Sequence, residues 1–234
     1  MDALTVQVIA HIRTDFTTKF GVPRQSGLVP EVQATIVFTP AYRNVDALRG
    51  LEGFSHLWLL WHFSEVRQTG WSPTVRPPRL GGNTRMGVFA TRSPYRPNPI
   101  GLSSVRLEGI DPDTPQGPVI RVSGADLMDG TPILDIKPYL PYTDSHPQAS
   151  VGFLNGLSER TVQVDCPPAL LEPLPPAIRR ALPAVLAHDP RPTYQSDPTR
   201  VYGMAYGGYE VHFTVADGVL TVQTILPAEN SPEK

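Results

Sequence analysis

Short runs of alternating apolar and polar residues fill most of the chain up to about residue 145. Alternation with a period of two is typical of half-buried β-strands, and glycine and proline between the runs indicate turns. Several short strands separated by turns favour a compact β-barrel or rolled sheet. The strands predicted in this region are 5–12, 35–38, 54–63, 88–90, 102–110, 119–123 and 133–139. Asn44 also predicts the cap of a brief helix at 45–48.

The pattern changes after residue 146. A short strand is predicted at 162–165, and a helix from Pro175-Pro176 through His188, with Pro183 as a kink. Two alternating strands, 209–215 and 219–226, are joined through Asp217-Gly218, which is a hairpin signal. The sequence therefore predicts a mainly β protein, with a β-barrel domain at 1–146 and a small α+β domain at 150–234.

Composition bounds the class of protein. With 40% hydrophobic residues the chain can form a substantial core, and 27 prolines disfavour a bundle of long helices. The single cysteine, Cys166, excludes an intrachain disulfide, and no apolar run is long enough for a membrane span. The N-terminus lacks the basic start of a signal peptide. We expect a soluble cytoplasmic protein.

Charge is distributed unevenly, although the formal net charge is only -2. Residues 66–107 contain seven arginines and no Asp or Glu, whereas the rest of the chain carries all 22 acidic residues. Such a local cationic field attracts an anionic ligand whatever the total charge. The alternative is that the fold pairs many of these arginines with carboxylates from elsewhere. The seven are Arg67, Arg76, Arg79, Arg85, Arg92, Arg96 and Arg106.

The most distinctive stretch is GVFATRSPYRPNPIGLS, residues 87–103. Ser93, Arg96 and Asn98 each precede a proline, which holds their backbone extended. Two guanidinium groups, counting that of Arg92, thus project from a chain with little remaining freedom. This preorganisation is typical of a binding loop.

Three polar turns bracketed by Gly or Pro could meet in one pocket: 24–27, 92–101 and 126–130. Asp126 and Asp129 would place negative charge opposite arginine, which suits a zwitterionic or sulfonium ligand better than a phosphate. Structural Asx-turns explain the two aspartates almost as well.

Common catalytic signatures are absent from the sequence. There is no GxGxxG after a strand, no P-loop, no GxSxG and no HExxH. Cys166 has no evident histidine partner, so a buried thiol is favoured over a catalytic one. His56 and His62 share a face of one strand, but no Cys or carboxylate stands at ligand spacing. Hydrogen-bonded core or pocket histidines are therefore favoured over a metal site.

Several of these motifs resemble one known family. The motifs that carry the resemblance are the stretch at 87–103, RPPRLGG (76–82), RGLEGFSHLW (49–58), DLMDGTPILDIKPYLPYTDS (126–145) and DPRPTY (189–194). Together they closely resemble the TsaA-like, TrmO family of tRNA methyltransferases. The resemblance implies an S-adenosylmethionine-binding β-barrel, a smaller C-terminal domain and a homodimer. The implied reaction methylates N6 of threonylcarbamoyladenosine next to the anticodon of a threonine tRNA.

The resemblance also implies site residues. Ser64 and Glu65 replace the family's usual His-Gln-like pair, and the C-terminal loop is implied to face the substrate. The implied cofactor contacts are Gln25, Ser26, Gly27, Ser64, Glu65, Arg92, Leu102, Asp126, Leu127, Met128 and Asp129.

Methyl transfer from a sulfonium is a direct displacement that depends on alignment and needs no metal. The target nitrogen is part of a urea-like group, so a general base would help. We take Asp189 and Tyr194 as candidates for it. Asn98 either reads a base edge or braces its loop, and the second is preferred. The residues expected to hold tRNA, mainly at its phosphates, are Arg76, Arg79, Arg85, Arg96 and Arg191.

Two other functions remain open from the sequence. The same arginine patch would serve an RNA-binding protein without catalysis. A hydrolase or nucleotide sensor would use Asp126 and Asp129 with a divalent metal ion.

Overall fold

The computed structural model describes residues 4–66, 71–157, 161–192, 195 and 197–228. The strands are β1 (Ala10–Arg13), β2 (Gln33–Phe38), β3 (His56–His62), β4 (Thr74–Val75), β5 (Met86–Gly87), β6 (Ile100–Asp111), β7 (Val119–Ser123), β8 (Pro132–Pro138), β9 (Gln163–Asp165), β10 (Tyr202–Tyr206), β11 (Tyr209–Ala216) and β12 (Val219–Pro227). The α-helices are α1 (Pro141–Asp144), α2 (Pro168–Leu171) and α3 (Pro176–Ala187). Short 3-10 helices occur at Pro40–Tyr42, Val45–Leu48, Leu51–Gly53, Pro78–Leu80, Val88–Ala90 and Gly152–Leu154.

Six strands close into an antiparallel barrel in the order β1-β2-β7-β6-β3-β8. Alternate residues of β2, β3 and β7 point inward, as the period-two pattern predicts. Their apolar side chains fill the barrel, with Ile36, Leu57 and Ile120 fully buried. The predicted mainly β fold with a barrel is confirmed.

A second core lies outside the barrel. There β10, β11 and β12 form an antiparallel sheet, to which β9 adds in parallel, and α3 packs on this sheet through Ile178, Leu182 and Leu186. The segment between β1 and β2 also enters this core, where Phe16 is fully buried against Tyr206 with ring centroids 5.0 Å apart. The segment between β1 and β2 thus joins the barrel to the second core through shared packing. The predicted domain limits stay a prediction.

Several local predictions are confirmed. Asn44 caps the 3-10 helix Val45–Leu48 by accepting a hydrogen bond from the Asp46 amide at 2.9 Å. Asp217 and Gly218 both have positive φ, of 49° and 79°, which is the geometry of a tight hairpin turn. The helix predicted from Pro175-Pro176 is α3, which continues through Pro183.

Other local predictions are wrong. Residues 88–90 form a 3-10 helix and no strand, because the Val88 amide bonds to the carbonyl of Pro73 and the Thr91 amide turns back to Val88. The segment 71–82, in which none of the predicted elements falls, contains β4 and a 3-10 helix. The first strand begins at Ala10, five residues later than predicted, and β10 was missed. In the described part of the chain, no helix combines the length and apolar character needed to cross a bilayer.

Candidate functional site

The turn at residues 25–27 is fastened to the open edge of one barrel strand. β7 pairs with β6 only from Arg106 onward, so the first half of β6 extends beyond it. The Ser26 hydroxyl accepts a hydrogen bond from the Ser104 amide at 3.1 Å on this edge. The Gly27 amide donates to the Gly124 carbonyl at 2.8 Å, and both glycines have positive φ. A side chain at either position would be strained, so glycine suits this close approach.

The backbone of Leu102 faces the same edge. In a strand, amides two residues apart point in one direction, and the Ser104 amide points away from β3 toward Ser26. The neighbouring β3 bonds instead to odd-numbered residues, since Phe63 donates to the Pro99 carbonyl and Leu107 to the Ser55 carbonyl. The main-chain groups of Leu102 therefore point to the turn side, and its side chain is exposed. This is a suitable place for a ligand that bonds to backbone.

A chain of hydrogen bonds leads from the barrel interior to Asp126. The Trp61 indole donates to the buried hydroxyl of Ser103 at 2.9 Å, and this hydroxyl donates to the Asp126 carboxylate at 2.5 Å. Burial raises the pKa of Asp126, while bonds from Ser103 and the Ser26 backbone and the charge of Arg92 lower it in part. Asp126 is therefore a partly buried, firmly oriented carboxylate beside the turn at 25–27.

Arg92 brings positive charge to the same cluster. Its guanidinium donates to the side-chain oxygen of Gln25, and its charge acts on Asp126. Arg92 itself is exposed to solvent. The structure thus joins five of the predicted cofactor residues into one group of both signs: Gln25, Ser26, Gly27, Arg92 and Asp126.

The rest of the turn after β7 has other contacts. Leu127 is buried in the barrel core, and its carbonyl accepts from the Thr14 hydroxyl. The Asp129 carboxylate accepts from Arg13 at 3.3 Å and from the Thr14 amide at 3.1 Å. Met128 is half-buried, and its carbonyl accepts from Thr131. The contacts of Leu127 and Asp129 secure the end of β1, and the cofactor role of all three residues stays a prediction.

Ser64 and Glu65 lie just after β3, both exposed. The Glu65 carbonyl accepts a hydrogen bond from the Lys19 ammonium at 3.0 Å. Phe63, directly before them, donates to the Pro99 carbonyl of the proline loop. The pair therefore borders both the segment after β1 and the loop at 91–99.

A cavity of about 430 Å³ lies beside the second core, which contributes Phe20, Val22, Leu28 and Val185 to its lining. Its walls come from the segment after β1, from Pro78 and Arg79 before β5, and from the loop after α3. Five of the lining side chains can carry positive charge and one carries negative charge. They are Lys19, Arg24, Arg79, His188 and Arg191, with Asp189 as the acid.

The C-terminal loop places Asp189 and Arg191 side by side in this wall. Asp189 has no exposed surface and Arg191 only 5%. The guanidinium donates to both carboxylate oxygens, at 2.8 Å and 3.0 Å, and this contact raises the pKa of Arg191. The Asp189 carbonyl also accepts from Arg24 at 3.2 Å. Tyr194, the other predicted base, lies outside the described residues.

The remaining predicted tRNA residues lie on the segment 76–85 and on the loop at 91–99. Arg76 and Arg85 are exposed, and Arg85 donates to the Thr74 hydroxyl at 3.3 Å. Arg96 is half-buried and donates to the Thr91 carbonyl at 3.1 Å within its own loop. Arg79 lines the cavity, so the structure brings it to the same space as Asp189 and Arg191. Their roles toward RNA stay predictions.

Sequence reasoning missed several members of these sites. Ser103 and Trp61 orient Asp126, while Lys19 lines the cavity. One signal was available, because Ser103 is a polar residue at an inward position of an alternating strand. Lys19 gave no such signal, since its placement depends on the path of the segment between β1 and β2.

Within the described ranges, no three His, Cys, Asp or Glu residues lie close enough to hold a metal ion. His56 is exposed and shares a hydrogen bond with the Ser55 hydroxyl at 2.9 Å, so it is not a core residue. His62 is half-buried.

Comparison with known proteins decides the family. A model described as "tRNA-methyltransferase O N-terminal domain" matches residues 11–145, and "TrmO C-terminal domain" matches residues 160–228. The chain belongs to the tRNA-methyltransferase O family. The suspected resemblance is thereby confirmed, together with the class of enzyme that it implied.

Relatives of this family share most of the chain. The tRNA (adenine(37)-N6)-methyltransferase of Escherichia coli K12 is 40% identical over 97% of this chain and 100% of its own. The protein of the same name from Eikenella corrodens is 46% identical over 75% of this chain and 99% of its own. A crystal structure of TrmO from Pseudomonas aeruginosa aligns with a TM-score of 0.79 and 33% identity, covering 97% of this chain and 99% of that one.

The residues at the turn cluster fit the cofactor predicted for this family. S-adenosylmethionine carries a carboxylate, an ammonium, a sulfonium, ribose hydroxyls and adenine. Arg92 suits its anionic group and Asp126 its cationic or hydroxyl groups. The exposed edge at Leu102 offers main-chain donors and acceptors beside an apolar side chain. A Pseudomonas aeruginosa relative, 41% identical over 89% of this chain and 91% of its own, is named a putative S-adenosylmethionine-dependent methyltransferase.

Proposed function

We propose that this protein transfers a methyl group from S-adenosylmethionine to N6 of the adenosine at position 37 of tRNA, and that its substrate is N6-threonylcarbamoyladenosine in a threonine tRNA. One observation carries the proposal. Arg24 and Gln25 are neighbours, yet Arg24 bonds to the loop that lines the cavity, whereas Gln25 bonds to Arg92 in the cluster of both signs. A cofactor position and a substrate position are thus adjacent.

Gln25, Ser26, Gly27, Arg92, Leu102 and Asp126 would hold the cofactor, with Ser64, Glu65, Leu127, Met128 and Asp129 kept as further predicted contacts. When bound, S-adenosylmethionine supplies an electrophilic methyl group on a sulfonium. The chain contributes alignment, because its cofactor turn is tied to the rigid edge of β6. Asp126 is held by Ser103, so its oxygens keep one orientation.

The cavity suits the modified nucleoside and its neighbouring phosphate. Lys19, Arg24 and Arg79 provide a cationic lining for an anionic strand, and for the carboxylate that a threonylcarbamoyl group carries. This match favours the threonylcarbamoyl substrate over plain adenosine. Arg76, Arg85 and Arg96 would then contact phosphates farther along the RNA.

Removal of the N6 proton needs an acceptor, for which we retain Asp189 and Tyr194. Both oxygens of Asp189 accept from Arg191. Asp189 has no exposed surface, so the N6 proton can reach its carboxylate only after the contact with Arg191 opens. A tRNA phosphate is a competing partner for Arg191, so RNA binding itself would free the base.

A homodimer and a cytoplasmic location, where tRNA is modified, complete the proposal. The homodimer is what the family resemblance implies, and the cytoplasmic location is the expectation drawn from the sequence. Sedimentation of the purified chain tests the first, and a sedimenting monomer at assay concentration would remove it.

The decisive experiment is mass spectrometry of nucleosides from threonine tRNA incubated with protein and S-adenosylmethionine. We expect threonylcarbamoyladenosine to gain the mass of one methylene group. A parallel tRNA with unmodified adenosine at position 37 should gain none. Methylation of both tRNAs would refute the specific substrate, and methylation of neither would favour a non-catalytic RNA-binding protein.

A further inference from the structure

Two aromatic side chains lie exposed side by side near the binding loop. Trp71 is 53% exposed and Phe89 is 73% exposed. Their ring centroids are 6.3 Å apart with planes inclined by 30°, a near-stacked arrangement. Large aromatics in contact on a surface are unusual, because burying them would stabilise the fold. Neither residue has a part in the cofactor cluster or the cavity.

The backbone beneath this pair is well fixed. Thr74 and Val75 pair with Gly87 and Met86, which brings the two segments together. The Val88 amide donates to the Pro73 carbonyl at 3.0 Å. Val88, directly before Phe89, is almost fully buried. The Thr91 amide and hydroxyl both donate to the Val88 carbonyl. Phe89 is therefore held in place three residues before Arg92, with Trp71 beside it.

The charge around the pair selects its partner. Between residues 71 and 107 the described chain carries six arginines and no Asp or Glu. Exposed aromatic faces in an arginine-rich segment are the combination that binds single-stranded nucleic acid, where bases stack and phosphates pair. A second copy of this chain would instead bring the same arginines together around an apolar contact, which charge repulsion disfavours.

We propose that Trp71 and Phe89 form a stacking platform for an unpaired base of the RNA, beside the nucleotide that is methylated. The identity of the RNA rests on the proposed function. The platform adds a contact that does not depend on the cofactor. It would hold the splayed loop open while the target base enters the cavity.

The test measures binding of a fluorescently labelled RNA hairpin with the anticodon stem-loop sequence of a threonine tRNA, without cofactor. We expect Trp71→Ala and Phe89→Ala each to weaken binding about tenfold, as loss of a base-stacking contact does. Trp71→Phe should retain most of the affinity, whereas Trp71→Leu should not, because leucine is apolar but has no π face. Tyr142→Ala is the matched control, since Tyr142 is 86% exposed outside the arginine-rich region.

Further arms separate the explanations. The alanine variants should leave the slope of log affinity against log salt unchanged, whereas Arg85→Gln should reduce it by about 0.7, the value for one phosphate of a single strand. Equal binding by Trp71→Leu and Trp71→Phe would overturn the stacking proposal. So would a change of sedimentation in Trp71→Ala without RNA, which would identify the pair as a contact between copies. A wild-type protein that binds the hairpin but methylates no tRNA would defeat the proposed function and leave the platform standing.

Discussion

Two proline-stiffened loops carry arginines, and the structure uses them in opposite ways. In the loop at 91–99, Arg92 is exposed and reaches across to Gln25 of another segment. In the loop at 189–192, Arg191 is buried and bound to Asp189 two residues before it. The sequence predicts that both loops display arginine toward a ligand.

An acidic neighbour within the loop accounts for the difference. In the DPRP segment a carboxylate stands at the right spacing to satisfy the guanidinium locally, and φ of +46° at Asp189 turns the backbone so that the two side chains meet. The loop at 91–99 contains no acid, so Arg92 takes its partner from elsewhere. Arginines in proline loops are therefore best judged together with the acids in the same loop.

The largest effect is expected at the buried pair. Asp189→Asn keeps the size of the side chain and tolerates the left-handed backbone, but it leaves Arg191 without its counter-ion. Breaking a buried pair in this way costs about 3 kcal/mol. We expect the free energy of unfolding in urea to fall by about that amount, and turnover to fall while affinity for S-adenosylmethionine stays nearly intact.

An exposed pair of the same chemistry provides the control. Arg121 donates to both oxygens of Asp111, and the two side chains are 51% and 43% exposed. Asp111→Asn should cost less than about 1 kcal/mol, as exposed pairs do. Equal losses in the two variants would show that burial does not make the Asp189–Arg191 pair more costly to break than an exposed pair. A large loss of cofactor affinity in Asp189→Asn would instead assign Asp189 to the cofactor site.

The fold was predictable where local signals agree. Alternation identified most barrel strands, and Asn44 and Asp217-Gly218 marked a cap and a turn that the structure has. The strand predicted at 88–90 failed because three apolar residues in a row do not show whether a partner strand is available. Here the partner is the short β4, and pairing with it ends at Gly87.

The candidate site was predictable only in part. Motifs singled out the turn at 25–27, Arg92 and Asp126, which the structure brings together. The cavity was not foreseen, because it depends on how the segment between β1 and β2 packs into the second core. Such long-range packing leaves no periodic signal in the sequence, so Lys19 could not be identified there.

The next largest effect is expected at Arg92, in the loop at 91–99. Arg92→Gln removes a charge from an exposed side chain, so stability should change by less than about 0.5 kcal/mol. Loss of a charge-assisted contact with the cofactor should weaken its binding about tenfold or more. Isothermal titration with S-adenosylmethionine measures this. Arg96→Gln is the matched control, since Arg96 bonds within its loop, and equal affinity in both variants would refute a cofactor contact at Arg92.

The smallest effect appears at Asp126, a carboxylate whose cation comes from a different loop. Burial raises the pKa of Asp126 in the folded state above its ordinary value of 3.8. The folded state therefore binds a proton more readily than the unfolded chain, and this group's contribution to stability falls as pH rises from 3.8 through the raised pKa.

Asp126→Asn should remove that fall in stability with rising pH. Arg92→Gln should enlarge it, by less than about 1 kcal/mol, because Arg92 no longer favours the charged carboxylate. Urea unfolding at a series of pH values, with Asp113→Asn as a control at an exposed carboxylate, measures both changes. An identical pH dependence in wild type and Arg92→Gln would mean that the loop arginine does not act on Asp126, and that the two signs are adjacent without being coupled.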